Sequence, residues 1–102
     1  MKNIINGKVY DTETAELICS YKYGYEGDFR YVYEALYKSY NGQFFIEYKG
    51  GAMSKYSEIT GPNEAFGGSG IRLIDEDEAR DFIESNGSTE DYVKAFGEPE
   101  EG

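Results

Sequence analysis

Two Asn-Gly dipeptides, Asn6-Gly7 and Asn41-Gly42, each stand between runs rich in apolar residues. Both central positions of a type I′ turn need a positive φ, so this dipeptide is a strong local signal for a two-residue β-hairpin. The first predicts Ile5 opposite Lys8, Ile4 opposite Val9 and Lys2 opposite Asp11, an opposite-charge cross-strand pair. The second predicts Tyr40 opposite Gln43, Tyr37 opposite Ile46, Ala35 opposite Tyr48 and Glu34 opposite Lys49. On that register Tyr33, Tyr37, Phe44, Ile46 and Tyr48 share one face, and Leu36, Lys38, Tyr40, Phe45 and Glu47 the other. A slip of one residue exchanges the faces.

Between the hairpins, Glu16 to Tyr25 alternates, with Leu17, Cys19, Tyr21, Tyr23 and Tyr25 on one side of a third strand. Asp11–Ala15 is a polar connector long enough for one helical turn. Gly24, Gly27 and Asp28 supply a turn into Phe29–Tyr33, where the second hairpin begins. The result is a meander of about five strands in residues 2–49, antiparallel because the links are short. Residues 50–70 are glycine-rich and contain Pro62, with Met53, Tyr56, Ile59 and Phe66 at no clear period. This stretch reads as a functional loop or as a loop hiding a short strand, and Ser54–Ser57 is the candidate for the strand.

Ile71–Ile74 is a short strand leading into a well-marked helix. Asp75 fits the N-cap and Glu78 completes a capping box, while the acids of the first turn suit the positive end of the helix dipole. Ala79, Phe82 and Ile83 form its apolar stripe, and Asn86-Gly87 predicts a left-handed cap. Ser88 or Thr89 then caps a second short helix, with Tyr92, Val93 and Phe96 inward and Gly97 at its end. These elements predict an α+β fold: a mainly antiparallel four- to six-stranded sheet with one or two C-terminal helices packed on one face. The expected division is a single domain over 1–97 and a disordered acidic tail over 98–102.

Charge is distributed unevenly along this frame. From Asp75 onward eleven carboxylates stand against Arg80 and Lys94, whereas the first 74 residues carry nine acids and eight bases. A field concentrated at one end steers association with a cationic partner and repels nucleic acid. Eleven Tyr and six Phe make the chain too rich in core material to be disordered. Tyrosine suits a half-buried sheet, and it also suits protein-recognition surfaces. Met1–Ile5 lacks the apolar core of a signal peptide, and no run approaches the ~20 apolar residues that span a bilayer. The expectation is a soluble protein of the cytoplasm, without a membrane partner.

Chemistry is sparsely represented. The chain has no His, which excludes Ser-His-Asp and Cys-His nucleophile systems and His-ligated metals. Cys19, the single cysteine, reads as a buried strand thiol. Asp75–Glu78 resembles a Mg²⁺ site in composition, but consecutive residues on one helical turn splay around its axis, so capping and solvation explain them better. Gly67–Gly70 lacks the following Lys and helix of a phosphate loop and reads as a flexible linker. Lys22, Arg30, Lys38, Lys49 and Lys55 are scattered, which argues against direct nucleic-acid binding. No catalytic residue, metal or cofactor is expected.

The opening Ile5-Asn6-Gly7-Lys8-Val9-Tyr10-Asp11-Thr12-Glu13-Thr14-Ala15 resembles the start of a family of small proteins from Gram-positive phages and plasmids. The likeness continues through Phe44-Phe45, Gly50-Gly51-Ala52-Met53-Ser54-Lys55-Tyr56 and Asp77-Glu78-Ala79, covering residues 4 to about 84. The family includes anti-CRISPR proteins that inhibit type II RNA-guided effector nucleases. The resemblance implies an inhibitor that blocks guide RNA loading or DNA binding in a bacterial host, and it transfers no residue roles. The partner-binding candidates are Asp75, Glu76, Asp77, Asp81, Glu84 and Asp91 for steering, with Tyr21, Tyr23 and Tyr25 as anchors. The competing expectations are a solvated acidic face without a partner, a metal-dependent ribonuclease acting on guide RNA, and a mobile-element adaptor that pairs through its sheet edge.

Overall fold

The computed structural model describes the backbone of residues 1–61 and 64–102 and the side chains of 1–57 and 67–102. Eight strands precede two helices: β1 (Lys2–Ile5), β2 (Lys8–Asp11), β3 (Glu16–Tyr23), β4 (Val32–Lys38), β5 (Phe44–Gly50), β6 (Glu58–Gly61), β7 (Glu64–Phe66), β8 (Gly68–Ile74), α1 (Glu76–Asn86) and α2 (Thr89–Phe96). The central sheet has the order β3-β4-β5-β8 and is antiparallel throughout, while β1-β2 and β6-β7 are separate hairpins. The fold is α+β, as the pattern of turns and caps predicts.

The first hairpin has the expected register, with Lys2 opposite Asp11 and Ile5 opposite Lys8. Its turn carries φ of 53° at Asn6 and 78° at Gly7, the type I′ signature. The second hairpin is one residue out of the expected register: Tyr37 pairs with Phe45, Leu36 with Ile46, and Glu34 with Tyr48. The cause lies in the turn. Ser39 N–H donates to the Gln43 carbonyl and Gly42 N–H to the Ser39 carbonyl, so the loop has three residues, with Gly42 at φ 89°. The extra residue leaves Tyr40 fully exposed and brings Leu36 onto the same face as Phe44 and Ile46. Tyr37 and Phe45 then stack on the other face, their centroids 5.3 Å apart.

Both sheet faces are therefore apolar, and both are covered. On one, Ile18, Leu36, Phe44, Ile46 and Ile74 pack against Ala79, Ile83 and Ala95 of the helices. On the other, Ala35, Tyr37, Phe45 and Ile71 pack against Tyr10 of the first hairpin, which meets the Phe45 ring edge-on at 5.6 Å. Strand β3 departs from simple alternation. A bulge between Leu17 and Cys19 inserts Ile18, which is buried, and Leu17 is thrown onto the opposite face from Cys19, 47% exposed. Strand β3 also ends at Tyr23, so Tyr25 lies in the following loop, and β4 begins only at Val32.

The glycine-rich stretch is more regular than its composition suggests. Ser54–Ser57 forms turns, not a strand, and the strands of this region are β6, β7 and a long β8. Gly67–Gly70, expected as a linker, leads into and builds β8. Pro62 lies outside the described residues. Gly70 is required by proximity: a Cβ there would meet the Tyr48 hydroxyl at 2.7 Å.

Asp75 caps α1 by accepting from Glu78 N–H at 2.8 Å, but the box is open, because Glu78 turns instead to Arg72 at 2.6 Å. Gly87 is extended (φ −110°), so α1 lacks the expected left-handed cap. Ser88 caps α2 in a complete capping box with Asp91, and Gly97 closes it at φ 88°. Lys38 donates to the Ala95 carbonyl at 2.9 Å, placing a cation at the negative end of α2. No helix among the described residues is long and apolar enough to cross a membrane.

Candidate protein-binding surface

Helix α1 runs with Ala79 and Ile83 buried beneath it. At about 100° per residue, Asp77, Asp81 and Glu84 fall at i, i+4 and i+7 on the diametrically opposite, solvent-facing side. Their spacing follows from the helical period, so three carboxylates form one outward stripe. Asp81 and Glu84 have no ion-pair partner among the described residues. Asp77 meets Arg80 at 3.3 Å with its side chain 92% exposed, a contact too solvated to neutralise it.

The other acids expected at the surface have internal duties. Asp75 is the N-cap of α1, and Asp91 accepts from Ser88 N–H at 2.9 Å in the α2 box. Glu76 pairs with Arg80 at 3.4 Å across one helical turn. Arg80 in turn lies over the Phe96 ring at 4.5 Å, so this pair helps fasten α1 to α2. The acidic segment thus divides by role, and the free stripe is smaller than the full set of carboxylates. Among the described residues, no three carboxylate or thiol groups converge in a way that would hold a metal ion.

The tyrosine candidates lie elsewhere. Tyr21 and Tyr23 line a cleft of about 410 Å³ with Arg30, Glu34, Lys55 and Asn86. Asn86 is the last residue of α1, an 11-residue helix, so this cleft and the N-terminal acids are at opposite ends of roughly 16 Å of helix. Asp75, Glu76 and Asp77 thus lie away from the tyrosines, whereas Glu84 is within one helical turn of Asn86. Tyr25 is 72% exposed in the loop beyond β3 and does not line the cleft.

Glu34, Lys55 and Tyr56 form a centre that sequence reasoning missed. Glu34 is only 7% exposed and is met by Lys55 at 3.1 Å and by the Tyr56 hydroxyl, which donates to it. Burial and then the Glu34 hydrogen bond push the Tyr56 phenol up to about 12, and Arg72 opposes them. Arg72 pairs in turn with Glu78 of α1 at 2.6 Å. Tyr56 also stacks on Tyr48 at 4.3 Å. The Ser-Lys-Tyr segment is thereby pinned to the sheet. The available signal was Glu34 itself, a charged residue on the inward side of an apolar strand.

Cys19 lies in β3 as expected but is half-buried rather than buried, because the bulge gives the buried position to Ile18. Burial, and then the Asp91 carboxylate, push the Cys19 thiol up to about 11, which leaves almost no thiolate at neutral pH. A depression of about 470 Å³ is lined by Phe29, Lys49 and Ser69 over glycine backbone at Gly50, Gly51, Gly67 and Gly68. It precedes a strand rather than a helix N-terminus, so it is not a phosphate cradle. In comparisons with known proteins, no family model, no curated protein and no solved structure matches this chain.

Proposed function

We propose that this chain is a non-catalytic inhibitor that docks the outward carboxylate stripe of α1 into a cationic groove of a nucleic-acid-handling protein. One observation carries the reading: Asp77, Asp81 and Glu84 are aligned, exposed and free of strong internal partners, while their helix is anchored beneath by Ala79 and Ile83. A rigid row of anions competes with phosphates for basic side chains, and it raises the on-rate by steering. The family resemblance names the partner class, a type II RNA-guided effector nuclease, which holds its heteroduplex in a positively charged channel. The step blocked is then guide RNA loading or DNA binding, in the cytoplasm of a bacterial host carrying a phage or plasmid.

The test uses purified effector nuclease and labelled guide RNA, with and without this protein, at about 0.1 and 0.4 M salt. Guide loading should fall on addition of the protein, and inhibition should weaken at the higher salt. The triple variant Asp77→Lys, Asp81→Lys, Glu84→Lys spares both helix caps and should fold normally yet lose inhibition. Unchanged inhibition by the folded triple variant would rule out the stripe. Intact guide on a denaturing gel, with or without EDTA, separates blocking from ribonuclease action.

A further inference from the structure

Strand β3 is an edge of the central sheet, with β4 as its ladder neighbour. Exposed edges invite pairing, and proteins commonly blunt them with bulges and lysines. Here the backbone is blocked only in the first half of the strand. The bulge interrupts the ladder between Leu17 and Cys19, and Lys94 donates to the Leu17 carbonyl at 3.4 Å. Neither a bulge nor a side chain bonded to the outer backbone guards Ser20–Tyr23 among the described residues, and Lys22 is the single lysine of that stretch.

The open half is also the chemically distinctive half. Tyr21 and Tyr23 stand on the side of the 410 Å³ cleft, with Arg30 and Lys55 beside them. Lys22 projects to the other face, in register with Tyr33, whose next cross-strand neighbour is Lys49. Glu34, the acid in the cleft, is already engaged by Lys55 and Tyr56. Arg30 has no carboxylate partner among the described residues. A chain of net charge −10 thus brings cations and tyrosines together along one stretch of edge backbone.

We infer that the Ser20–Tyr23 edge accepts an extended acidic segment of a partner protein by strand addition. Main-chain hydrogen bonds would provide the attachment, and acidic side chains at every second residue would reach Arg30 in the cleft or, one residue out of register, Lys22 on the opposite face. A nucleic-acid strand shares the charge but offers no peptide ladder to the edge. A second copy of this chain is the poorer occupant, because two strongly acidic molecules would meet through like-charged Lys22 side chains. The β3 edge and the α1 stripe belong to different elements, and the inference does not depend on the proposed inhibition.

The probe is a fluorescein-labelled eight-residue peptide of alternating Val and Glu, titrated by anisotropy at about 0.15 M salt, where the Debye length is ~8 Å. It should bind at least about tenfold more tightly than an alternating Val-Lys peptide, or than the Val-Glu peptide with alternate amides N-methylated. Amide exchange at Ser20–Tyr23 should slow with the peptide bound. Lys22→Glu with Arg30→Glu should weaken binding about tenfold, whereas the α1 triple variant should bind within about threefold of the parent. Equal binding of either control peptide, unslowed exchange at saturation, no binding at about 1 mM peptide, or a dimer by light scattering would each overturn the inference.

Discussion

Glu34→Ala is the substitution whose cost the structure specifies best. It removes a carboxylate that is 7% exposed and leaves the Tyr56 hydroxyl without its acceptor. A hydrogen bond to a charged acceptor contributes ~1.5–3 kcal/mol. The Lys55 ion pair adds less, because the Lys55 side chain is 59% exposed and water screens it, so ~0–1 kcal/mol is appropriate. Together these give about 3 kcal/mol, at the lower end of the ~3–5 kcal/mol for breaking a fully buried pair. At ~4 °C per kcal/mol for a domain near 100 residues, the melting temperature should fall roughly 12 °C. Urea unfolding followed by far-UV circular dichroism measures the free energy directly. Glu34→Gln keeps an acceptor and should cost about 1 kcal/mol. A double-mutant cycle with Tyr56→Phe should show coupling of at least about 1 kcal/mol. A loss under about 0.5 kcal/mol for Glu34→Ala, or strict additivity in the cycle, would refute the Glu34–Tyr56 bond as a fastening for the 51–57 turns.

Phe45→Ala should cost about 3–5 kcal/mol in the same assay, since Phe45 is 0% exposed and holds both Tyr37 and Tyr10. Gly70→Ala should cost about 1–3 kcal/mol by forcing the Tyr48 ring, and adding Tyr48→Phe should recover part of it, because the closest contact is the hydroxyl. Cys19, raised from 9.0 to about 11, should react with iodoacetamide at pH 8 about a hundredfold more slowly in the folded than in the unfolded protein. Folding holds both Cys19 and Tyr56 in their protonated forms. The stability they contribute is whole below their unfolded values of 9.0 and 10.0 and is lost as pH rises through about 11 and 12, so the urea midpoint should fall across that window.

Local rules read correctly wherever the chemistry was complete within a few residues. Asn6-Gly7 set its own turn, Asp75 and Ser88 capped their helices, and the period of Ala79, Phe82 and Ile83 placed the buried side of α1. Asn41-Gly42 carries the same dipeptide yet sits in a three-residue loop. There both registers were locally acceptable, and the choice fell to Tyr37 stacking on Phe45 while Leu36 joined Ile46 beneath the helices. The bulge at Ile18 is of the same kind, because only the helix-side core rewards burying it. The acidic cluster was legible as composition. Its division into caps, Arg80 partners and a free stripe depended on where Arg72, Arg80 and Ser88 came to lie.

From the linear sequence alone came the fold class, the positions of the two Asn-Gly hairpins and of the helices, and the imbalance of charge, since each rests on dihedral preference, short periodicity or a count. The tertiary structure decided the register of the central hairpin, the role of Glu34 and the gathering of Tyr21, Tyr23, Arg30 and Lys55 around one cleft. Those features join residues from β3, β4, the loop before β4 and the turns after β5, segments far apart along the chain. Their energies arise from burial and pairing that exist only once both sheet faces are covered, so no local pattern announces them.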